Sequence, residues 1–223
     1  MGIKLFFGAI TKFLLGVILV GVLIFLPAGG FDYPGGWLLM GVLFIPMLLV
    51  GIILLVKKPE LLKKRLDARE KDKSQDIVVK LSGLMFILGF VIAGLGVRFD
   101  LYRLPFAVSI VGAVIFLFSY ILYAEVLREN EYLSRTIQVT EGQRVIDKGL
   151  YGVVRHPMYS ATVLLFLSMP LILGSLHSLI IFLAYPFIIA KRIKGEEELL
   201  EKELVGYAEY KSRVKYRLIP FIW

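Results

Sequence analysis

Long apolar runs separated by short polar segments dominate the first half of this chain. Four runs are of about the length needed to cross roughly 30 Å of hydrocarbon as a helix. They cover residues 13–27, which can be extended back to Leu5, and then 37–56, 77–97 and 105–126. Two shorter runs, 160–173 and 176–190, meet at Gly174. Because each is short for a full crossing, we predict a tight hairpin of short, tilted helices whose ends lie on the same side.

The composition agrees with a membrane-embedded chain. Of the 223 residues, 58% are hydrophobic, more than a soluble domain of this size needs. We therefore predict an all-α integral membrane fold, a bundle of five to six transmembrane helices with a C-terminal cytoplasmic amphipathic helix. Residues 1–127 form a four-helix transmembrane frame, and residues 128–223 carry the candidate chemistry within the same bundle. The absence of cysteine excludes a thiol nucleophile and Cys-ligated metal.

Basic residues are distributed unequally between the loops. Segment 57–76 carries eight Lys and Arg residues, whereas segment 28–36 carries none. By the positive-inside rule, the N-terminus, the 57–76 loop and everything after the fourth span face the cytoplasm. The sequence thus predicts a multi-pass membrane protein with both termini in the cytoplasm and a surface helix from about Glu60 to Lys71. The net charge of +8 favours membrane lipids as partners over nucleic acid.

The third apolar run is rich in small residues. They let helices approach closely in a membrane, so we expect this span to pack tightly against its neighbours. Because its glycines follow no strand, they do not form a dinucleotide-binding turn. The small residues are Gly83, Gly89, Ala93, Gly94 and Gly96.

Polar clusters flank the predicted hairpin on both sides. Taken singly, each member has an ordinary interpretation, such as a topology anchor, an interfacial aromatic residue or a proline in the first turn of a helix. The order Arg-His-Pro-x-Tyr, then a hairpin, then Arg-x-x-x-Glu-Glu is far more specific than its parts and indicates a site at the feet of the hairpin. The clusters are Arg155, His156, Pro157, Met158 and Tyr159 on one side and Arg192, Glu196 and Glu197 on the other.

The stretch after Arg192 has a helical period. At about 100° per residue, Arg192 and Glu196 point the same way as an apolar stripe. A carboxylate on a buried face is costly unless it is paired. Glu196 therefore has two interpretations, an ion pair with Arg192 or a carboxylate held toward a ligand. The stripe consists of Ile193, Leu199, Leu200, Leu204 and Tyr207, whereas Glu198, Glu201 and Lys202 point elsewhere.

The segments GLYGVVRHPMY, KRIKGEE and GYAEYKSRVKYRLIP occur in this order. Together they resemble the isoprenylcysteine carboxyl methyltransferase family and the related phospholipid methyltransferases. The resemblance is strong over residues 130–223 and weaker toward the N-terminus. The chain departs from the family pattern at Leu150, where relatives often have proline, at Gln143, where many have histidine, and at Val205, where many have phenylalanine or proline.

The resemblance implies an S-adenosylmethionine-dependent membrane methyltransferase with a cofactor pocket on the cytosolic side. Carboxylates suit the cationic groups of this cofactor, and Arg and His suit its carboxylate. Its methyl group is already activated, so the site needs positioning and exclusion of water and no metal. S-adenosylhomocysteine is the expected product. The cofactor-binding residues carried over are Tyr151, Arg155, His156, Pro157, Tyr159, Glu196 and Glu197.

The resemblance also suggests a catalytic pair and an acceptor. We predict that Arg192 orients an acceptor carboxylate and that Glu196 binds the cofactor or holds Arg192. A lipid-like acceptor would explain the membrane bundle, because it can enter between helices while the charged cofactor comes from the cytosol. The favoured acceptor is a carboxylate of the isoprenylcysteine type.

Three alternatives stay open at this stage. The first is a phospholipid amine N-methyltransferase. The second is a sterol-reductase-like protein of similar architecture, which would bind NADPH. The third is a small transporter or a non-catalytic scaffold. Against transport, the first four apolar runs contain few ionisable residues and show no obvious inverted repeat.

Overall fold

The computed structural model describes residues 2–66, 73–133 and 139–223. Within these ranges the regular structure is helical, and the only β-type pairing is an isolated bridge between Arg103 and Ser175. The helices are α1 (Gly2–Ala28), α2 (Pro34–Lys57), α3 (Pro59–Leu66), α4 (Lys73–Arg98), α5 (Phe106–Glu129), a 3₁₀ turn (Gly149–Gly152), α6 (Pro157–Ile172), α7 (Leu176–Phe182), α8 (Tyr185–Glu203) and α9 (Tyr207–Arg213).

The four long apolar runs are helices, and the predicted all-α membrane class is confirmed. Helices α1, α2, α4 and α5 each contain an apolar stretch long enough to span a membrane. A fifth candidate span covers Leu176–Glu203, and α6 is a shorter apolar helix. The described helices therefore supply five candidate spans and one short arm, within the predicted range.

Glycines in α4 allow two close helix contacts. A Cβ atom on Gly89 would lie 2.3 Å from the ring of Phe182 in α7, and one on Gly94 would lie 2.5 Å from the carbonyl oxygen of Ile24 in α1. Both distances are shorter than van der Waals contact, so these positions require glycine. The predicted close packing is thus confirmed at Gly89 and Gly94. A Cβ atom on Gly83 would meet nothing within 4 Å.

One end of the bundle gathers the hairpin turn and two short loops. The hydroxyl of Tyr33 donates a hydrogen bond of 2.6 Å to the carbonyl oxygen of Leu173, and the N–H of Leu104 donates to the carbonyl of Gly174 at 2.9 Å. Gly174 has φ = +63°, a left-handed conformation that glycine adopts without strain. Both feet of the hairpin therefore lie at the opposite end of the bundle, as the sequence predicts.

The charged C-terminal stretch is not a separate helix. It continues α8, which begins at Tyr185 in the second arm of the hairpin and ends at Glu203. The chain then leaves the helix, turns through Gly206 at φ = +86° and forms the short helix α9. A separate C-terminal amphipathic helix is therefore not confirmed, because the amphipathic stripe belongs largely to the second half of α8.

The predicted surface helix is described in part. Helix α3 (Pro59–Leu66) covers the first half of the 60–71 prediction, and residues 67–72 lie outside the described ranges. Lys12 donates from Nζ to the carbonyl oxygen of Leu66 at 2.6 Å. This contact attaches the end of α3 to α1.

Candidate functional site

A polar cleft lies at the feet of the hairpin, between the start of α6, the second half of α8 and α9. The space between its walls, including its open mouth, is about 830 Å³. Its wall combines charged, aromatic and aliphatic groups. The polar and aromatic lining residues are Asn130, Tyr132, Gln143, Arg144, Tyr151, Arg155, His156, Tyr159, Arg192, Glu196, Tyr207 and Tyr210.

The start of α6 is fixed by the C-terminal tail, residues 214–223. Pro157 occupies the first turn of α6, where its missing N–H forfeits no helical hydrogen bond. The N–H of Arg155 donates to the carbonyl of Tyr216 at 2.9 Å, and the N–H of His156 donates to the carbonyl of Arg217 at 3.0 Å. The tail therefore holds the backbone of the Arg-His-Pro segment in place.

Glu197 is a buried carboxylate that joins α6, α8 and the tail. Its Oε1 accepts a hydrogen bond of 2.7 Å from Nε of Arg155 and lies 3.2 Å from Nε2 of His156. Its Oε2 accepts from Nε of Arg217 at 3.0 Å. Only 3% of Glu197 is exposed, and a carboxylate so deeply buried is stable only when its partners offset the loss of hydration.

Arg155 is also bound by the protein itself. In addition to its bond with Glu197, its Nη1 donates to the carbonyl oxygens of Val214 and Lys215 at 2.7 and 2.8 Å. Arg155 still lines the cleft. It therefore serves in part as a structural cation, a role that the sequence did not indicate.

Tyr159 connects the two residues predicted to be catalytic. Its hydroxyl donates to Oε2 of Glu196 at 2.6 Å and accepts from Nε of Arg192 at 3.0 Å. Tyr159 and Arg192 are buried, whereas Glu196 is half-buried and lines the cleft. Glu196 is thus linked to Arg192 through Tyr159 and also faces the space where a ligand would lie.

The 3₁₀ turn Gly149–Gly152 sets one edge of the cleft. Gly149 has φ = +58°, and a Cβ atom there would lie 1.7 Å from Oε1 of Glu129. The left-handed φ favours glycine at this position, and a larger residue would displace the Glu129 carboxylate. The Glu129 carboxylate accepts a hydrogen bond of 3.0 Å from the N–H of Leu150, which fastens the turn to the end of α5.

Tyr151, within this turn, is held from two sides. Its hydroxyl accepts a hydrogen bond of 2.9 Å from Nδ2 of Asn130, and its carbonyl oxygen accepts one of 2.8 Å from the hydroxyl of Tyr210. Both partners also line the cleft. The ring of Tyr151 is consequently fixed at the wall.

Tyr207 lines the cleft. It differs from Tyr151, Tyr159 and Tyr210, whose hydroxyls all form hydrogen bonds. Its side chain is 4% exposed, and its buried hydroxyl has no hydrogen-bond partner within the part of the chain that the structure describes. Burial and the nearby carboxylates of Glu197 and Glu196 raise the pKa of this hydroxyl, so Tyr207 stays neutral at physiological pH. Leaving a buried hydroxyl unpaired costs about 1–3 kcal/mol, and native proteins rarely do so.

Two of the helices that build the cleft, α6 and α8, lie in a segment that matches a known family. Residues 107–205 match the model of the phospholipid methyltransferase family. This segment is a phospholipid methyltransferase domain. It contains Arg155, Tyr159, Arg192 and Glu196, and it supports a membrane methyltransferase. The family resemblance drawn from the sequence motifs is thereby confirmed, although the methyltransferase domain ends before Tyr207 and the C-terminal tail.

A second comparison concerns a reductase. The Delta(14)-sterol reductase of Mus musculus is 31% identical to this chain over 91 residues, which cover 40% of this chain and 22% of the reductase. The chain thus spans about a fifth of the length of that protein. The likeness is confined to a segment of the reductase.

The cleft fits the cofactor that the family resemblance implies, S-adenosylmethionine. The Glu196 carboxylate can receive a cationic group, and His156 and Arg155 can receive a carboxylate. The aromatic ring of Tyr151 lies at the wall. The hydroxyl of Tyr207, which has no partner among the described residues, is a polar group that a ligand can hydrogen-bond.

Six of the eight predicted site residues line the cleft, and two do not. Pro157 begins α6, and Glu197 lies behind the wall with its oxygens bound to protein cations. These two residues hold the wall from behind, and their predicted contact with the cofactor stays a prediction. The six that line the cleft are Tyr151, Arg155, His156, Tyr159, Arg192 and Glu196.

Sequence reasoning missed several lining residues. The helical period places Tyr207 on the apolar stripe, and a hydroxyl among otherwise aliphatic positions is the signal that could single it out. Asn130 and Tyr210 gave no signal, because their place depends on how α5 and α9 meet the 3₁₀ turn. Gln143 also lines the cleft, and its Oε1 accepts from the N–H of Thr140 at 3.0 Å.

Proposed function

We propose that this protein is an S-adenosylmethionine-dependent membrane methyltransferase that acts on a lipid-like acceptor, a carboxylate of the isoprenylcysteine type. The observation that carries the proposal is the linked group Arg192–Tyr159–Glu196 at the wall of a cleft between membrane helices. The methyltransferase domain over residues 107–205 supports the reaction class.

The proposed mechanism assigns one task to each residue. S-adenosylmethionine, when bound, supplies a methyl group activated on a sulfonium centre. Arg192, held by Tyr159, orients the acceptor carboxylate by charge-assisted hydrogen bonds. Glu196 binds a cationic group of the cofactor. A carboxylate acceptor needs no general base, so proximity and exclusion of water provide the rate acceleration.

The place of the cleft suits an acceptor that resides in the bilayer. α6 and α8 run from the cleft into the apolar part of the bundle, and Leu164 of α6 and Phe187 of α8 are exposed there. A lipid tail can lie against such a surface while its polar end reaches Arg192. This predicts that an acceptor without a tail turns over poorly.

Phospholipid amine N-methylation is the second candidate. The family that matches is described by phospholipid methylation. An amine acceptor must lose a proton, and the half-buried carboxylate of Glu196 lies at the cleft to take it. Analysis of the product separates the two candidates, because a methyl ester is labile to base and an N-methyl lipid is stable.

The direct test is transfer of a labelled methyl group from S-adenosylmethionine into a membrane lipid extract, followed by identification of the product. We expect labelling with the wild type and its loss in Arg192→Ala and Glu196→Gln. Glu198→Gln, a change of an exposed carboxylate on the same helix, is the control. Retained transfer in both site variants would show that the catalytic assignment is wrong.

Titration calorimetry on detergent-solubilised protein discriminates the other classes. We expect saturable binding of S-adenosylhomocysteine and none of NADPH. Binding of NADPH alone would favour the reductase-like alternative, and binding of neither would favour a transporter or scaffold.

The orientation can be tested because the chain contains no cysteine. We propose that the cleft and both termini face the cytoplasm. A single cysteine at the exposed Lys58, near the basic loop, should react with an impermeant maleimide only from the cytoplasmic side. A cysteine at the exposed Asp32, in the loop at the opposite end, should show the reverse pattern.

A further inference from the structure

Two tyrosines on α9 lie side by side but differ in their hydrogen bonds. The rings of Tyr207 and Tyr210 are 5.7 Å apart and are both buried. The hydroxyl of Tyr210 donates to the carbonyl oxygen of Tyr151 at 2.8 Å, whereas that of Tyr207 has no partner within the described ranges. Because buried polar groups are nearly always paired, the hydroxyl of Tyr207 calls for a specific reason.

The charged groups near Tyr207 indicate which kind of ligand group its hydroxyl could hydrogen-bond. Glu197 is occupied by Arg155, His156 and Arg217. Glu196 is different, because among the described residues Tyr159 alone donates to it, through Oε2. Glu196 and Tyr207 both line the cleft. The wall thus presents a carboxylate with spare acceptor capacity together with a neutral phenol.

A carboxylate and a phenol suit a cationic donor that makes several hydrogen bonds. An ammonium group has three N–H donors and gains charge-assisted bonds from a carboxylate. A phenol oxygen accepts from the ammonium while its own proton is donated elsewhere. A sulfonium centre has no N–H to donate, so it would leave the phenol oxygen without a hydrogen bond.

We propose that Tyr207 is a further cofactor-binding residue, whose hydroxyl binds, together with Glu196, the α-ammonium group of S-adenosylmethionine and of S-adenosylhomocysteine. The inference rests on the proposed function. It extends the site beyond the methyltransferase domain, which ends at residue 205. It also explains why a hydroxyl is buried beside two carboxylates without a partner among the residues that the structure describes.

The test compares two ligands on two proteins by titration calorimetry. S-adenosylhomocysteine carries the ammonium group, whereas 5′-methylthioadenosine lacks the whole amino-acid portion. In Tyr207→Phe, the affinity for S-adenosylhomocysteine should fall about ten- to a hundredfold, as expected for a lost hydrogen bond to a charged group. The affinity for 5′-methylthioadenosine should not change.

Each other outcome of the titration overturns the inference. An equal loss for both ligands would mean that Tyr207 acts on the adenosine part or on the shape of the cleft. No loss for either would mean that the hydroxyl makes no contact. If the wild type binds neither ligand, the proposed function fails together with this inference; if only Tyr207→Phe is without effect, the proposed function stands.

Thermal unfolding distinguishes a ligand-binding role of the Tyr207 hydroxyl from a structural role. Its removal should lower the unfolding temperature only if the hydroxyl has a structural role. Tyr207→Phe removes a buried hydroxyl that has no partner in the described part of the chain, so it should leave the unfolding temperature unchanged or raise it. The matched variant Tyr210→Phe leaves the carbonyl of Tyr151 without its donor and should lower it. A Tyr207→Phe protein destabilised as much as Tyr210→Phe would show that the hydroxyl has a structural partner, and the inference would be wrong.

Discussion

The frame, residues 1–127, and the C-terminal region, residues 128–223, are held together by different forces. In the frame, apolar side chains such as Leu26 and Val56 are more than two-thirds exposed, as expected for surfaces that lipid covers. Its helices α1 and α4 meet at Gly94, and Gly89 of α4 packs in the same close way against α7 of the C-terminal region. In the C-terminal region, a single buried carboxylate, Glu197, binds three side chains from other segments.

The difference follows from the solvent that each region faces. Lipid tails are as apolar as leucine, so helices in the frame gain little from burying hydrophobic surface and depend on close approach. At the cleft, charged groups are withdrawn from water and must find specific partners. The frame should therefore tolerate most apolar exchanges, whereas the cleft should depend on individual atoms.

The strongest test of this comparison is Glu197→Ala. The change leaves the buried Arg155 and the partly exposed Arg217 without their carboxylate, and breaking a buried pair costs about 3–5 kcal/mol. We expect a large fall in unfolding temperature and no measurable binding of S-adenosylhomocysteine. Glu198→Ala, an exposed neighbour on α8, is the control and should behave like the wild type. A Glu197→Ala protein as stable as the wild type would show that the buried carboxylate does not hold this region together.

The second test addresses the frame. A Cβ atom on Gly94 would lie 2.5 Å from the carbonyl oxygen of Ile24 and 3.0 Å from the N atom of Ala28, so Gly94→Ala should separate α1 from α4. Overpacking of this kind costs about 1–3 kcal/mol. Thermal unfolding should show the loss, while calorimetry should show unchanged S-adenosylhomocysteine affinity in the folded protein.

The control for that test is a glycine in the same helix with open space around it. Gly83→Ala should be neutral or slightly stabilising, because alanine favours a helix over glycine by up to about 1 kcal/mol. If Gly94→Ala and Gly83→Ala have the same effect, close approach does not hold the frame. If Gly94→Ala abolishes ligand binding in folded protein, the two regions are not separable.

Much of the frame could be predicted from sequence because its signals are local. Length and apolarity identify a span wherever it packs. The same signals, in the two apolar runs around Gly174, predicted the hairpin of the C-terminal region. The small residues predicted close packing but not which of them form the contacts. Gly83 and Gly89 cannot be told apart in the sequence, because the contact depends on where the neighbouring helix lies. Only Gly89 faces Phe182.

The site could be predicted less completely. Glu196 and Glu197 are neighbours in sequence and point about 100° apart on α8, so the one that faces the cleft depends on where α6 packs. The family motifs include both glutamates and predict that both bind the cofactor. The tail contributes through the backbone carbonyls of Val214 and Lys215, and backbone carbonyls leave no signature in a sequence.

The smallest expected effect concerns the link between the tail and the cleft. Nε of Arg217 donates to Oε2 of Glu197 at 3.0 Å, and its guanidinium lies 5.3 Å from the ring centre of Trp223. Arg217 is partly exposed, and Glu197 keeps Arg155 as a partner. We therefore expect Arg217→Ala to cost about 1 kcal/mol and to weaken S-adenosylhomocysteine binding about fivefold.

Arg213→Ala is the matched control, because Arg213 also joins two segments but does so at the surface. Its Nη2 lies 2.8 Å from Oδ2 of Asp147, with 64% of the Arg213 side chain exposed, and such pairs contribute about 0–1 kcal/mol. Binding should be unchanged in this variant. Equal losses in both variants would mean that the net positive charge near the cleft, which both changes reduce, governs affinity. A loss confined to Arg217→Ala would instead show that the tail acts through the buried carboxylate behind the cleft.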